Sequence, residues 1–63
     1  MPKTTKLKEL RERKSLLQKD VAEHLGVSVQ YYNEIENGRR PSFRLALLIA
    51  DFFEVPVDQL FRE

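Results

Sequence analysis

The stretch Gln18–Gly38, QKDVAEHLGVSVQYYNEIENG, holds two short helical patterns that meet at one glycine. Apolar residues recur at helical spacing on both sides of Gly26. Ala22 stands four residues before that glycine, inside the first pattern. Two helices that cross steeply over a tight turn need a small side chain at the crossing and a glycine where the backbone reverses. The stretch therefore predicts two helices joined by a tight turn.

Helical patterns also flank this pair, and no alternating strand pattern or internal repeat is present. Ser28 and Ser42 are suited to cap the helices that follow them, and Gly26, Asn37-Gly38 and Pro56 are stop signals. We expect a single all-α domain over residues 1–63, in which residues 1–5 form a flexible basic tail. The five predicted helices span residues 6–14, 18–25, 29–36, 43–53 and 57–61.

Composition excludes several classes of protein. The 63 residues contain no cysteine and one histidine, so neither a disulfide scaffold nor a usual zinc site is available. No apolar run reaches the ~18 residues needed to span a membrane, and no secretory signal opens the chain. Net charge is +1, but residues 1–44 hold ten Lys and Arg against six Asp and Glu, whereas residues 45–63 hold one against four. The basic part is the part suited to face phosphates.

Several motifs together give the chain a specific resemblance. They are LKELRERK, Q-x-x-V-A-x-x-L-G-V-S, I-E-N-G, and P-S followed by an apolar helix and V-D-Q-L-F, and they cover about residues 6–61. With these motifs the chain resembles lambda-repressor-like, Cro/CI-type (XRE-type) helix-turn-helix proteins. The resemblance implies a compact five-helix DNA-binding domain whose third helix enters the major groove. Three residues depart from the family pattern: Leu17 replaces a capping Thr or Ser, Tyr32 an aliphatic residue, and Glu54 a common glycine.

The third helix offers candidate base contacts. Gln30, Asn33 and Glu34 lie opposite its apolar side, and Val29 lies at the border. An amide binds adenine in a bidentate manner, a carboxylate accepts from cytosine, and an aliphatic side chain packs on the thymine methyl group. We expect these four residues to read bases. The alternative is an ordinary solvated helix face.

A second group of polar residues is placed to grip the DNA backbone. The resemblance assigns the first residue of the second helix to phosphate contact, sometimes with a bridge to the third helix. Each phosphate neutralised lowers log K by ~0.9 per unit of log salt concentration. Charged residues are often merely solvated, and that alternative stays open. The expected backbone contacts are Gln18, Lys19, Tyr31, Asn37, Arg39, Arg40 and Arg44. The resemblance also implies a structural ion pair between Arg11 and Glu36.

The fourth helix carries more apolar residues than one buried face needs. Leu48 and Phe52 lie off its main apolar stripe, and Leu60 and Phe61 follow nearby in sequence. We expect these four residues to form a homodimer interface; the alternative is that all of them are core. A symmetric dimer would place two third helices ~34 Å apart and read a palindromic site.

These features predict a cytoplasmic, prokaryotic or phage regulator of transcription that binds double-stranded DNA in a sequence-specific manner, most simply as a repressor. No set of nucleophile, base and orienting residue is present, so we expect no enzymatic activity. We also expect no cofactor, metal, membrane or small-molecule ligand. Two alternatives remain: an antitoxin-like half of a protein pair, and a protein-interaction module that uses the apolar surface of the fourth and fifth helices.

Overall fold

A computed structural model describes residues 6–60, and the predicted five-helix, all-α architecture is confirmed over that range. The expected tail at residues 1–5, and Phe61, lie outside the described residues. The first helix ends one residue earlier than predicted. Within residues 6–60 no helix is long and apolar enough to cross a membrane. The helices are α1 (Lys6–Arg13), α2 (Gln18–Leu25), α3 (Val29–Glu36), α4 (Phe43–Phe53) and α5 (Val57–Leu60).

The helix boundaries follow from the capping residues. Ser28 accepts a hydrogen bond from the Tyr31 N–H at 3.1 Å, and Ser42 accepts one from the Leu45 N–H at 3.2 Å. Each serine thereby satisfies an N–H group that has no partner inside its helix. Gly26 ends α2 with φ 77°, the left-handed conformation that glycine adopts without steric cost. The turn between α2 and α3 is therefore fixed from both sides.

The start of α2 lacks the usual side-chain cap. Leu17 precedes the helix in an extended conformation, and its side chain has no acceptor. Asp20 compensates in part, because its Oδ2 accepts a hydrogen bond from the Leu17 N–H at 2.9 Å. This is the second half of a capping box, in which the side chain of the third helical residue reaches back. The helix thus begins at Gln18 as the sequence predicts.

The core draws one or more fully buried side chains from each of the first four helices. Leu7, Val21, Tyr32, Ile35 and Ile49 are all 0% exposed. Ala22, the small residue predicted at the α2–α3 crossing, is 2% exposed. Burial of each large aliphatic side chain stabilises the fold by roughly 1.5–3 kcal/mol relative to exposure. Tyr32 and Ile35 of α3 lie in this core, so its packing helps to position that helix.

Two of the expected dimer residues are not open surface. Leu60 is 3% exposed and belongs to the core, because α5 packs against α4 and α1 and turns this side chain inward. Phe52 is half-buried against the core, with its ring centroid 4.6 Å from that of His24 and 4.9 Å from that of Phe53. The expectation that Leu60 lies on an exposed interface is wrong, and Phe52 offers only part of its ring.

The exposed apolar surface of α4 lies elsewhere on the helix. Phe43 is 74% exposed, Leu47 is 44% exposed and Leu48 is 50% exposed. Residues four apart are neighbours on a helix surface, so Phe43 and Leu47 are adjacent and Leu48 borders them. We call these three residues the α4 apolar surface. Sequence periodicity identified Leu48 but missed Phe43 and Leu47.

Candidate nucleic-acid interface

The outer face of α3 carries the candidate base contacts. Val29 is 47% exposed, and Gln30 and Asn33 are exposed as well. The opposite face is closed, because Tyr32 and Ile35 lie in the core. Since the Ser28 cap and these two anchors fix the rotation of the helix, the polar face is held in one orientation.

Gln18 connects α2 to α3 through its side-chain amide. Its Nε2 donates to Asn33 Oδ1 at 2.9 Å and to Glu36 Oε1 at 3.0 Å. A residue expected to contact phosphate is therefore tied directly to one expected to contact a base. Because both bonds come from one nitrogen, movement of Gln18 would affect both positions on α3.

Glu36 is a buried carboxylate at the inner end of this connection. Arg11 Nε donates to Glu36 Oε2 at 2.6 Å, Arg11 Nη2 donates to Glu36 Oε1 at 3.2 Å, and Arg11 Nη1 donates to the Leu16 carbonyl at 2.8 Å. The side chains of Arg11 and Glu36 are 11% and 3% exposed. The pair joins α1 to α3, as bidentate guanidinium–carboxylate geometry allows.

The pKa values of this pair follow from burial and hydrogen bonding. Burial alone would raise the pKa of Glu36, but hydrogen bonds from Arg11 and then Gln18 outweigh it and hold that pKa below its usual range. The hydrogen bond to Glu36 raises the pKa of Arg11, against the opposing effect of burial. Both groups are therefore charged near neutral pH.

Tyr32 places a phenol inside this polar region. Its hydroxyl is fully enclosed and lies beside the Glu36 carboxylate, toward which it donates. Burial raises the pKa of Tyr32, and the charge of the nearby Glu36 carboxylate raises it further. The phenol therefore stays neutral beside the ion pair.

Glu34 has a partner within the protein. Arg39 Nη1 donates to Glu34 Oε1, and the Arg39 guanidinium lies 4.7 Å from the centre of the Tyr31 ring. The Arg39 and Glu34 side chains are 57% and 41% exposed, so water screens this pair. The pair was not predicted, although Glu34 and Arg39 carry opposite charges on either side of the end of α3. The pair offsets the repulsion between Glu34 and a phosphate.

The remaining candidate backbone contacts lie at the end of α3 and on other elements. Asn37 caps the helix, since its Nδ2 donates to the Asn33 carbonyl at 2.9 Å, and its side chain is already engaged in ending α3. Three further candidates are exposed: Lys19 on α2, Arg40 in the loop between α3 and α4, and Arg44 on α4. Among residues 6–60 no cluster of His, Cys, Asp and Glu is suited to hold a metal ion.

The fold and the α2–α3 surface define a helix-turn-helix protein. The chain matches the family described as "Helix-turn-helix" over residues 7–60. It belongs to this family, of the XRE or Cro/CI type, whose members are DNA-binding regulators of transcription.

Two relatives agree with this membership. An uncharacterised HTH-type transcriptional regulator of Methanocaldococcus jannaschii is 46% identical over 57 residues, which are 89% of this chain and 86% of the relative. A propionyl-CoA carboxylase regulator of Cereibacter sphaeroides is 46% identical over 56 residues, which are 87% of this chain. The chain spans 12% of the length of that second relative.

Proposed function

We propose that this regulator is a sequence-specific repressor that binds a palindromic operator as a homodimer, with α3 of each copy in the major groove. The observation that carries the proposal is the bond between Gln18 and Asn33. It holds an exposed amide on α3 beside the N-terminus of α2, where backbone N–H groups favour a phosphate. Base contact and phosphate contact are thus coupled in one rigid unit.

The base-reading residues are Val29, Gln30 and Asn33, which are exposed on one face of α3. Glu34 also reads a base, but only after its contact with Arg39 has been broken. When Arg39 exchanges Glu34 for a phosphate, the released carboxylate accepts from a cytosine amino group. The pair with Arg39 supports this assignment, since it keeps an acidic residue compatible with the approach of DNA.

The proposed phosphate contacts lie on α2, on α3, in the segment after α3 and on α4. They attract DNA without regard to sequence and fix the register of the helix in the groove. We assign this role to the backbone N–H of Gln18 and to Lys19, Tyr31, Asn37, Arg39, Arg40 and Arg44. Asn37 also caps α3, and the Tyr31 ring also contacts the Arg39 guanidinium.

The dimer uses the α4 apolar surface in place of Leu60. Exposed leucine and phenylalanine side chains clustered on one helix commonly mark an interface. A shallow open depression with a lining of mixed polarity adjoins Phe43. A two-fold axis would use the same surface twice. The depression is lined by Arg40, Pro41, Phe43, Ala46 and Val57.

Selection of bound duplexes from a randomised pool tests the proposed function. At about 0.1 M salt, where non-specific attraction is weakened, we expect an inverted repeat with half-sites about one helical turn apart. Gln30→Ala should change the selected sequence at one position of each half-site. Gln59→Ala is the matched control, because it removes an exposed amide from α5 and should change nothing. A folded protein that enriches no sequence contradicts the proposal.

Light scattering tests the dimer. We expect the wild-type chain to be dimeric and Leu48→Glu to be monomeric, since a carboxylate in an apolar interface loses its hydration. Leu17→Glu is the control, because Leu17 is 62% exposed and lies before α2, outside the α4 apolar surface. A monomeric wild-type chain that still binds DNA removes the homodimer.

A protein-interaction role is the second candidate, and the same α4 apolar surface favours it. An antitoxin-like chain would bury Phe43, Leu47 and Leu48 against a different protein. Absence of sequence enrichment, together with loss of biological activity in Leu48→Glu but not in Gln30→Ala, would support this candidate over the repressor.

A further inference from the structure

The polar side chains between α1 and α3 form a directed chain of hydrogen bonds. An ionised carboxylate accepts only, so Glu36 takes N–H donors from both Arg11 and Gln18. Gln18 must therefore turn its NH₂ group, and not its carbonyl, toward Glu36. The low pKa of Glu36 keeps that direction fixed near neutral pH.

The orientation of the Gln18 amide in turn fixes the orientation of the Asn33 amide. The same Nε2 that donates to Glu36 lies 2.9 Å from the Asn33 side chain. Since an NH₂ group cannot accept, Asn33 must turn its Oδ1 toward Gln18. Its Nδ2 makes no hydrogen bond to the other residues of the described range 6–60, and Asn33 is exposed. The free end of this amide is a donor.

We propose that Arg11, Glu36 and Gln18 fix the orientation of the Asn33 amide, so that Asn33 presents N–H donors to the DNA and rejects cytosine. The inference deepens the proposed function and rests on the placement of α3 in the major groove. In that groove guanine offers O6 and N7, adenine offers N7 and thymine offers O4 as acceptors, whereas cytosine offers an N4 amino donor. Asn33 contacts the base, and Gln18 and Glu36 are positioning residues.

The chain matters because a lone asparagine does not discriminate in this way. Rotation of the terminal amide by half a turn exchanges donor for acceptor, and a solvated asparagine reaches both orientations. With Gln18 in place, that rotation would set two NH₂ groups against each other. The penalty is about that of one lost hydrogen bond, which corresponds to roughly five- to tenfold discrimination between bases.

Asn33→Asp tests the base contact. The aspartate retains an oxygen that accepts from Gln18, and it replaces the outward Nδ2 with a second acceptor. In duplex selection we expect one position of each half-site to change from disfavouring cytosine to favouring it, with the other positions unchanged. Asn37→Asp is the control: it adds the same charge at the C-cap that follows α3, removes the Nδ2 bond to the Asn33 carbonyl, and should weaken binding to all sequences without altering the preference.

Gln18→Leu tests the positioning role. Removal of the Nε2 donor frees the Asn33 amide to rotate, so discrimination against cytosine at that one position should fall to about twofold or less. A loss of phosphate affinity in Gln18→Leu would weaken binding to all sequences and would not change the preference at a single base. Glu36→Gln should act in the same direction, but it also disturbs the ion pair with Arg11, so Gln18→Leu decides the outcome even where Glu36→Gln does not fold.

Three results would overturn the inference. Unchanged preference at every position in Asn33→Asp would show that Asn33 reads no base. A shift in Asn33→Asp combined with unchanged discrimination in Gln18→Leu would show that Asn33 reads a base without being oriented by the chain. A folded wild-type protein that enriches no sequence would overturn the proposed function and this inference together, and is distinct from the first two results.

Discussion

The α1–α3 side and the α4–α5 side of the molecule are joined by different kinds of contact. On the first side Arg11, Glu36, Gln18 and Asn33 form a continuous chain of hydrogen bonds across three helices. On the second side α4 and α5 meet through apolar residues such as Leu60. Hydrogen bonds fix angles as well as distances, whereas apolar burial depends mainly on area. The helix proposed to enter the major groove is held by directional contacts.

Charge divides the chain in a similar way. The basic excess lies in residues 1–44 and the acidic excess in residues 45–63. The described residues place Lys19, Arg39 and Arg40 on or next to the helix-turn-helix, while Asp51, Glu54 and Asp58 lie on α4, α5 or the turn between them. A net charge of +1 therefore conceals one surface suited to DNA and another that would be repelled by it.

The largest effect should come from breaking the ion pair on the α1–α3 side. Arg11→Met leaves the Glu36 carboxylate buried without its main partner, and we expect a loss of about 3 kcal/mol in the free energy of unfolding. Replacing both residues, as in Arg11→Met with Glu36→Leu, should recover much of that loss, because no uncompensated charge remains. Urea denaturation of the two variants measures this. A double variant as unstable as the single one would contradict the account.

An apolar deletion on the α4–α5 side should have a comparable but smaller effect. Leu60→Ala removes a side chain that is 3% exposed, and we expect a cost of about 2–3 kcal/mol. Leu48→Ala, at a 50% exposed position, should cost less than about 0.5 kcal/mol when measured at low protein concentration. Equal costs at the two positions would mean that the burial pattern of α4 and α5 is misassigned.

The contrast between Leu60 and Leu48 also shows where sequence reasoning reached its limit. Helical periodicity and caps were enough to predict all five helices, and Ser28, Ser42 and Gly26 act as the pattern indicates. Periodicity ranks the faces of one helix, but it does not say which neighbour covers a face. The burial of Leu60 depends on how α5 returns against α1 and α4, which is a tertiary contact.

The candidate site was predictable to a different degree. The exposed amides of α3 follow from its period, and the resemblance supplied the pairing of Arg11 with Glu36. The Arg39–Glu34 contact was missed, because it joins a helix to the loop after it and no periodicity applies there. The direction of the hydrogen bonds through Gln18 was also beyond sequence, because it depends on distances between three helices.

The pH dependence of stability separates the two sides further. The pKa of Glu36 is lower in the folded protein than the ~4.3 of an unfolded glutamate, so its stabilising effect is complete above that pH and is lost as the pH falls through the folded pKa. The stability difference between the wild type and Glu36→Gln should be constant from about pH 5 to 7 and should shrink below ~4.3, by at most ~1.4 kcal/mol per pH unit. Urea midpoints across this range measure it. A difference that does not vary with pH would mean that Glu36 is not the titrating group.

Small effects are also predicted at two helix ends that share one backbone conformation. Gly26 ends α2 with φ 77° and ψ 28°, and Glu54 ends α4 with φ 58° and ψ 44°. A Cβ added at Gly26 would meet nothing within 4 Å, so Gly26→Ala should cost about 1 kcal/mol through backbone conformation alone. Glu54→Gly should be stabilising, by about 0.5 kcal/mol, because the strain relieved slightly exceeds the added entropy of the unfolded chain.

Thermal unfolding of the two variants tests whether the two helix ends are equivalent. Opposite signs would show that the left-handed residue is governed by the same backbone preference on both sides of the molecule. A destabilising Glu54→Gly would mean that the Glu54 side chain contributes a contact that outweighs its strained backbone. In that case the end of α4 would depend on a contact of the Glu54 side chain, while the end of α2 depends on the backbone freedom of Gly26.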